Sequence, residues 1–265
     1  MRRGFTVTGM DAAVSALADE QAALSARLDG LDEAGWSAPS RCPGWSVSDV
    51  VLHLAQTNEM ALASLDGTMD EFLGRLAASV PPTADVDAGA AAMVEVERGA
   101  PPAEVQARWD EGAAALRARF AAADLGARVT WVAGQLSART LATTRLAETW
   151  IHAGDVAAAS GPLPDPTARL WHIARLAWRT VPYAFARAGR PAPGPVVFDL
   201  VGPSAEAWRF APDDVDAAAG AVTTVTGDAL DLCLVAGQRA DAADTGLVAE
   251  GPDAPDVLAL VRTFA

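Results

Sequence analysis

Apolar residues recur at every third or fourth position through the first two-thirds of this chain, and proline or glycine separates one run from the next. Because a helix places residues three and four apart on one face, this pattern predicts amphipathic helices that bury their apolar faces against one another. The first is predicted over residues 11–31, with an apolar face of Val14, Leu17, Leu24, Leu28 and Leu31. Later runs predict helices over residues 46–65, 101–120 and 137–159, and residues 72–76 form a short apolar stretch.

The helix that starts at residue 46 has a defined beginning. Gly44 ends the preceding proline-containing segment, and Ser46 is a residue type that caps helices. Asp49, three residues further on, completes a capping box with Ser46. Between the last two helices of this half, residues 126–134 predict a loop or a short extended segment.

The final hundred residues have a different pattern, and three prolines at 162, 164 and 166 mark the change. Short runs typical of strands now alternate with helical ones. Strands are predicted over residues 195–201, 207–211 and 221–226, and helices over residues 168–188, 228–237 and 253–264. The sequence therefore predicts an α+β protein, with a helical bundle over residues 10–161 and a smaller α/β domain over residues 165–265.

Composition excludes several classes of protein. The 34 acidic residues outnumber the 20 basic ones, all arginine, for a net charge of −14, so we expect no binding to nucleic acid or to anionic membranes. Two cysteines cannot form a disulfide scaffold or a cysteine-only zinc site. The first residues lack the apolar run of a signal peptide, and no stretch of about 18 apolar residues occurs. We expect a cytoplasmic protein.

Four polar residues share one face of the helix predicted over residues 137–159. Arg145, Glu148, His152 and Asp155 follow one another at spacings of three, four and three residues. Burying such groups unpaired is costly, so they must face water, pair with each other or bind a ligand. Glu148 and His152, four residues apart, can bind one metal ion through a carboxylate oxygen and an imidazole nitrogen.

His53 lies among apolar residues of the second long helix. If this helix neighbours the one with Glu148 and His152, two imidazoles and one carboxylate meet. Three protein ligands leave a coordination position open, as in catalytic metal sites. The alternatives are a core histidine bonded to a carbonyl group, and an exposed Glu148–His152 pair worth a few tenths of a kcal/mol.

Two motifs stand out in the chain. The first comprises Trp36, Pro39, Ser40 and residues 42–55 (CPGWSVSDVVLHLA). The second comprises residues 145–156 (RLAETWIHAGDV), preceded by residues 134–141 (GQLSARTL). The motifs resemble the mycothiol-dependent maleylpyruvate isomerase family, which belongs to the DinB-like superfamily of four-helix metal proteins, and residues 134–141 are similar to a metal-binding branch of this family. The resemblance implies a DinB-like four-helix bundle followed by the family's C-terminal α/β domain, and an actinobacterial origin.

The resemblance also implies roles for particular residues. The family's metal ligands correspond to His53, Glu148 and His152, and its usual ion is zinc, although nickel and iron(II) suit the same donors. Asp155 is placed to orient an imidazole. Arg145 would hold Glu148 or bind a substrate carboxylate, with a surface salt bridge as the alternative. Arg239 loosely matches an arginine that the family uses near the bundle cleft.

In this family the metal binds the thiol of mycothiol, and a metal-bound thiol is deprotonated at neutral pH. The resemblance therefore implies a metal- and thiol-dependent S-transferase or cis–trans isomerase with a small electrophilic substrate, as a monomer or a homodimer. The alternatives are a metal-dependent hydrolase or lyase without a thiol, and a non-enzymatic metal-binding stress-response module.

Cys42 is interpreted either as a redox or catalytic thiol or as a small side chain that shapes a turn.

Overall fold

The computed structural model describes residues 11–132, 134–213 and 222–263. These residues form two compact units, one that ends at Pro164 and one that begins at Asp165. Residue 10, where the first predicted domain begins, residue 221, where the third predicted strand begins, and residue 264, where the last predicted helix ends, lie outside the described residues. The mixture of helices and sheets confirms the predicted α+β class.

The N-terminal unit is mainly helical. Its helices are α1 (Ala12–Leu28), α2 (Glu33–Ser37), α3 (Val47–Asp66), α4 (Met69–Leu76), α5 (Val86–Glu97), α6 (Pro102–Ala122) and α7 (Ala138–Ser160). Strands β1 (Arg128–Trp131) and β2 (Gly134–Ser137) form an antiparallel hairpin just before α7. The predicted extended segment contains β1, whereas β2 lies mostly beyond it.

Helices α2 and α5 of this unit were not predicted. Helix α2 has only five residues, and the Asp32 side chain caps it by accepting a hydrogen bond from the Gly35 backbone. The alanine-rich sequence of α5 has little apolar periodicity. In agreement, only Met93 and Val94 of this helix are buried. Alanine nevertheless has the highest helix propensity, and Asp85 caps the first turn.

Four long helices surround the core of the N-terminal unit. Helix α3 packs against α6 and α7, and α1 also packs against α7 and α6. Apolar residues from several of these helices join one buried cluster, including Leu24, Val50, Leu54, Trp109 and Val156. The predicted capping box of Ser46 and Asp49 is present and fixes where α3 begins. These contacts place the buried faces of α3 and α7 side by side.

The described residues of the C-terminal unit form three α-helices, a short 3-10 helix (Ala242–Asp244) and a four-stranded sheet. Its elements are α8 (Leu170–Arg187), β3 (Val196–Val201), β4 (Ala207–Phe210), β5 (Thr223–Asp228), α9 (Ala229–Ala236), β6 (Val248–Glu250) and α10 (Ala254–Leu260). The strand order is β4-β3-β5-β6, with β3 and β5 parallel and the outer strands antiparallel to them. Strand β6 was not predicted, since three residues are too few for a periodic pattern.

Within the part of the chain that the structure describes, no helix has both the length and the apolar composition needed to cross a membrane.

Candidate metal centre

The polar stripe of α7 faces the interior of the N-terminal unit. Arg145 is 1% exposed, Glu148 7%, His152 6% and Asp155 0%. Ser137 accepts a hydrogen bond from the backbone of Thr140 and so fixes where the helix begins. Because these side chains are withdrawn from water, each needs a partner or a ligand.

His53 of α3 and the α7 pair converge on one point. The Nε2 atom of His53 lies 3.4 Å from Oε2 of Glu148, and Nε2 of His152 lies 3.7 Å from the same oxygen. The two imidazole ring centres are 5.0 Å apart. One ligand atom from each of the three residues can be chosen such that all lie within 4.8 Å of one another. The helix pairing thus brings His53 together with two residues that lie almost a hundred positions later in the sequence.

The spacing of these donor atoms fits a single cation. Two ligand atoms that are each about 2.1 Å from a tetrahedral ion lie about 3.4 Å apart. The observed separations of 3.4 and 3.7 Å are close to that value. Two imidazole nitrogens and one carboxylate oxygen suit zinc, and also nickel or iron(II). The residues present therefore fit the metal that the family motifs imply.

The protonation states of two of these residues also suit a ligand role. Burial raises the pKa of Glu148, but its hydrogen bond to His53 and the charges of His152 and Arg145 outweigh burial and lower the pKa to about 2. Burial lowers the pKa of His53 below its usual value of 6.5. At neutral pH Glu148 is therefore ionised and His53 is neutral, the forms in which these side chains bind metals.

Asp155 contacts Nδ1 of His152, the ring nitrogen that does not face Glu148. Its Oδ2 atom lies 2.9 Å from Nδ1 of His152, one helical turn away. An Nδ1–H bonded to this carboxylate leaves Nε2 as the nitrogen that faces Glu148. The thiol of Cys42 donates to the same Oδ2 at 3.1 Å, and the backbone N–H of Arg41 donates to the Asp155 carbonyl at 3.4 Å.

Replacing Asp155 by asparagine tests this orienting contact. Asp155→Asn keeps the size of the side chain but removes the charge that favours the Nδ1–H form of His152. We expect a loss of about 10- to 100-fold in affinity for a divalent cation, the usual cost of losing such a partner. Isothermal titration measures the affinity, and Asp110→Asn on α6 serves as a control. An unchanged affinity would contradict the orienting role.

Arg145 is a buried cation rather than part of a surface salt bridge, so that alternative interpretation was wrong. Its Nη2 donates to Oγ1 of Thr57 at 2.9 Å and to Oδ1 of Asn58 at 3.4 Å, both on α3. Its Nε has no hydrogen-bond partner among the described residues. The positive charge contributes to the lowered pKa of Glu148, three residues along α7.

Three further residues adjoin the centre; Trp45 belongs to the first family motif, whereas Thr57 and Asn58 were not identified from the sequence. Thr57 and Asn58 bind Arg145, and the ring of Trp45 lies 5.3 Å from the ring of His53. Thr57 follows His53 by one helical turn. A polar residue at that spacing in an apolar helix indicates that Thr57 lies on the same face as His53.

Arg239, the remaining predicted site residue, belongs to the C-terminal unit. It follows α9, and its Nη1 donates to the carbonyl of Gly237 at 2.9 Å. It lines a cavity of about 930 Å³ together with Gln238, Asp244 and Arg262. A role for Arg239 in catalysis stays a prediction.

Comparison with known proteins identifies the family. Residues 17–157, which include His53, Glu148 and His152, match the family described as the mycothiol maleylpyruvate isomerase N-terminal domain. An uncharacterized protein found in two strains of Mycobacterium tuberculosis is 32% identical over 253 residues, with 95% of each chain covered.

Two solved structures share the fold. They are the mycothiol-dependent maleylpyruvate isomerase and a point mutant of that enzyme, with TM-scores of 0.56 and 0.55. Both are 20% identical to this chain, and 92% of this chain and 95% of theirs are covered. The resemblance seen in the two sequence motifs is thereby confirmed: the chain belongs to the mycothiol-dependent maleylpyruvate isomerase family.

Proposed function

We propose that this protein binds one divalent cation, preferably zinc, through His53, Glu148 and His152. With a low-molecular-weight thiol such as mycothiol it would act as an S-transferase or a cis–trans isomerase on a small electrophilic substrate. The observation that supports this most strongly is the convergence of three buried donor atoms, 3.4 and 3.7 Å apart, in a member of this family. The mycothiol dependence of the solved relative supports the choice of thiol.

The proposal also includes the fold around the site, the localisation of the protein and its oligomeric state. We infer that α1, α3, α6 and α7 form a DinB-like four-helix bundle within a domain over residues 10–161, followed by an α/β domain over residues 165–265. The mutual packing of these helices supports the bundle. We further propose a cytoplasmic enzyme of actinobacterial type, monomeric or homodimeric. The net charge of −14 disfavours nucleic acid as a partner.

When bound, a divalent cation would keep a coordinated thiol deprotonated at neutral pH and so make it a nucleophile. The protein's own residues prepare the site. Glu148 supplies a negative charge, since its pKa is about 2. Asp155 keeps Nε2 of His152 directed at Glu148. The buried charge of Arg145 lies on the same stripe of α7, where it would attract an anionic group, and Arg239 is the candidate contact from the C-terminal unit.

The need for a thiol separates this proposal from simple hydrolysis. We expect the zinc-loaded, full-length protein to convert activated alkenes only when a thiol is present, because the thiol is the nucleophile. Product formation is measured with mycothiol, with glutathione and without thiol, in wild type and in Glu148→Gln. Equal turnover without thiol would contradict the proposal and indicate a metal-bound water as the nucleophile. Equal turnover in Glu148→Gln would contradict the role of the metal centre.

A further inference from the structure

A second group of donor atoms lies on the other side of the His152 ring. The Sγ atom of Cys42 is 3.1 Å from Oδ2 of Asp155 and 3.8 Å from Nδ1 of His152. The same Nδ1 is 2.9 Å from Oδ2 of Asp155. A thiol, an imidazole and a carboxylate thus offer three ligand atoms within 4.8 Å of one another. We call Cys42, His152 and Asp155 the outer site, and His53, Glu148 and His152 the inner site.

The loop before α3 holds the thiol in this position. The backbone N–H of Cys42 donates to Oγ of Ser40 at 3.1 Å, and this hydroxyl donates to the carbonyl of Trp45 at 2.9 Å. The backbone of Trp45 donates back to the carbonyl of Cys42 at 3.1 Å, and Arg41 donates to the carbonyl of Asp155. These bonds fix the loop to α7 and hold the Cys42 thiol next to Asp155.

One ligand of the outer site, Cys42, borders a cavity. Cys42 is half-buried and lines a cavity of about 670 Å³ between the loop and the turn that precedes α6. Trp36, Trp45 and Ser40 also line this cavity. Cys233, by contrast, is fully buried in α9, and burial raises the pKa of its thiol well above the usual range. The two cysteines therefore differ sharply in access.

We propose that the outer site binds a thiophilic divalent cation, with Cys42 as the ligand that selects it. Thiolates prefer soft ions. The two imidazoles and one carboxylate of the inner site do not favour soft ions over harder ones. Binding forms a metal–sulfur bond, releases the thiol proton to solvent, and moves the ring proton of His152 from Nδ1 to Nε2. No atom changes its oxidation state.

The outer and inner sites compete because they share His152. A neutral imidazole has one nitrogen without a proton, so it serves one cation at a time. The inner site needs Nε2, whereas the outer site needs Nδ1. A soft ion in the outer site therefore removes a ligand from the inner site and would inhibit the enzyme. This competition rests on the proposed function, whereas binding at the outer site does not.

Cadmium(II) is the probe for the outer site. The metal-free, full-length protein is titrated with cadmium chloride while ultraviolet absorption from sulfur-to-cadmium charge transfer is recorded. We expect saturation at one equivalent in wild type, in Cys233→Ser and in His53→Gln. The absorption should disappear in Cys42→Ser, and the affinity should fall about tenfold or more in Asp155→Asn. Circular dichroism verifies that each variant is folded.

Two results would overturn the outer site: absorption that persists in Cys42→Ser, or absorption that is lost in Cys233→Ser. His53→Gln keeps the test independent of the inner site, because this variant lacks an inner ligand but retains all three outer ones. If zinc fails to bind wild type while cadmium absorption still depends on Cys42, the proposed function fails and the outer site stands.

The competition is tested separately on zinc-loaded protein. One equivalent of cadmium should release zinc from wild type, detected with a chromophoric chelator, and release should fall at least tenfold in Cys42→Ser. Two retained ions per chain together with the sulfur absorption would overturn the shared use of His152.

Discussion

Replacing His53 by alanine is expected to abolish stoichiometric binding of a divalent cation at the inner site. The variant leaves Glu148 and His152 as two ligands four residues apart on one helix. It also leaves the Glu148 carboxylate without its hydrogen bond at 3.4 Å. Loss of an orienting partner alone costs about 10- to 100-fold in metal affinity, so loss of a ligand should exceed about 100-fold.

Isothermal titration with zinc measures this loss, and the chain provides a matched control. His172 lies in α8 of the C-terminal unit, so His172→Ala should bind zinc as wild type does. Glu148→Gln and His152→Ala should behave like His53→Ala. An affinity in His53→Ala within tenfold of the wild-type value would show that His53 is not a ligand.

Replacing Leu54 by alanine should destabilise the N-terminal unit by about 3–5 kcal/mol, the upper range for leucine truncation in a packed core. Leu54 is fully buried, follows His53 directly on α3 and belongs to the cluster that includes Trp109. Its removal leaves a cavity where α3 meets its neighbours. Urea denaturation measures the change in the free energy of unfolding.

Leu73→Ala is the matched control, because Leu73 lies on α4 and is 39% exposed. Its effect should stay within about 1 kcal/mol, as for most surface substitutions. Zinc affinity should persist in folded Leu54→Ala, since all three inner ligands remain. Equal destabilisation by the two substitutions would contradict the packing described for α3.

The elements that position the inner site could be predicted from sequence because their signals are local. Helix α3 has a capping box and a continuous apolar face, and α7 has four polar residues at helical spacing. That the two helices are neighbours was a hypothesis, because periodicity identifies the buried face of a helix but not its partner. The family motifs imply the pairing.

Other features could not be predicted for physical reasons. The contact between Cys42 and Asp155 joins residues 113 positions apart through an irregular loop, whose course depends on hydrogen bonds of Ser40 and Arg41. The sequence also does not predict that the Arg145 side chain is buried, because an arginine on a helix is usually exposed. Its acceptors, Thr57 and Asn58, lie on another helix.

X-ray absorption spectroscopy at the zinc edge, on full-length protein loaded with one equivalent of zinc and no thiol, tests the inner site most directly. Binding at the inner site predicts two imidazole nitrogens and one carboxylate oxygen from the protein at about 2.0–2.2 Å. His53→Ala should lose one imidazole contribution. A sphere of oxygen atoms alone, or a sulfur ligand at about 2.3 Å in wild type, would contradict binding by His53, Glu148 and His152.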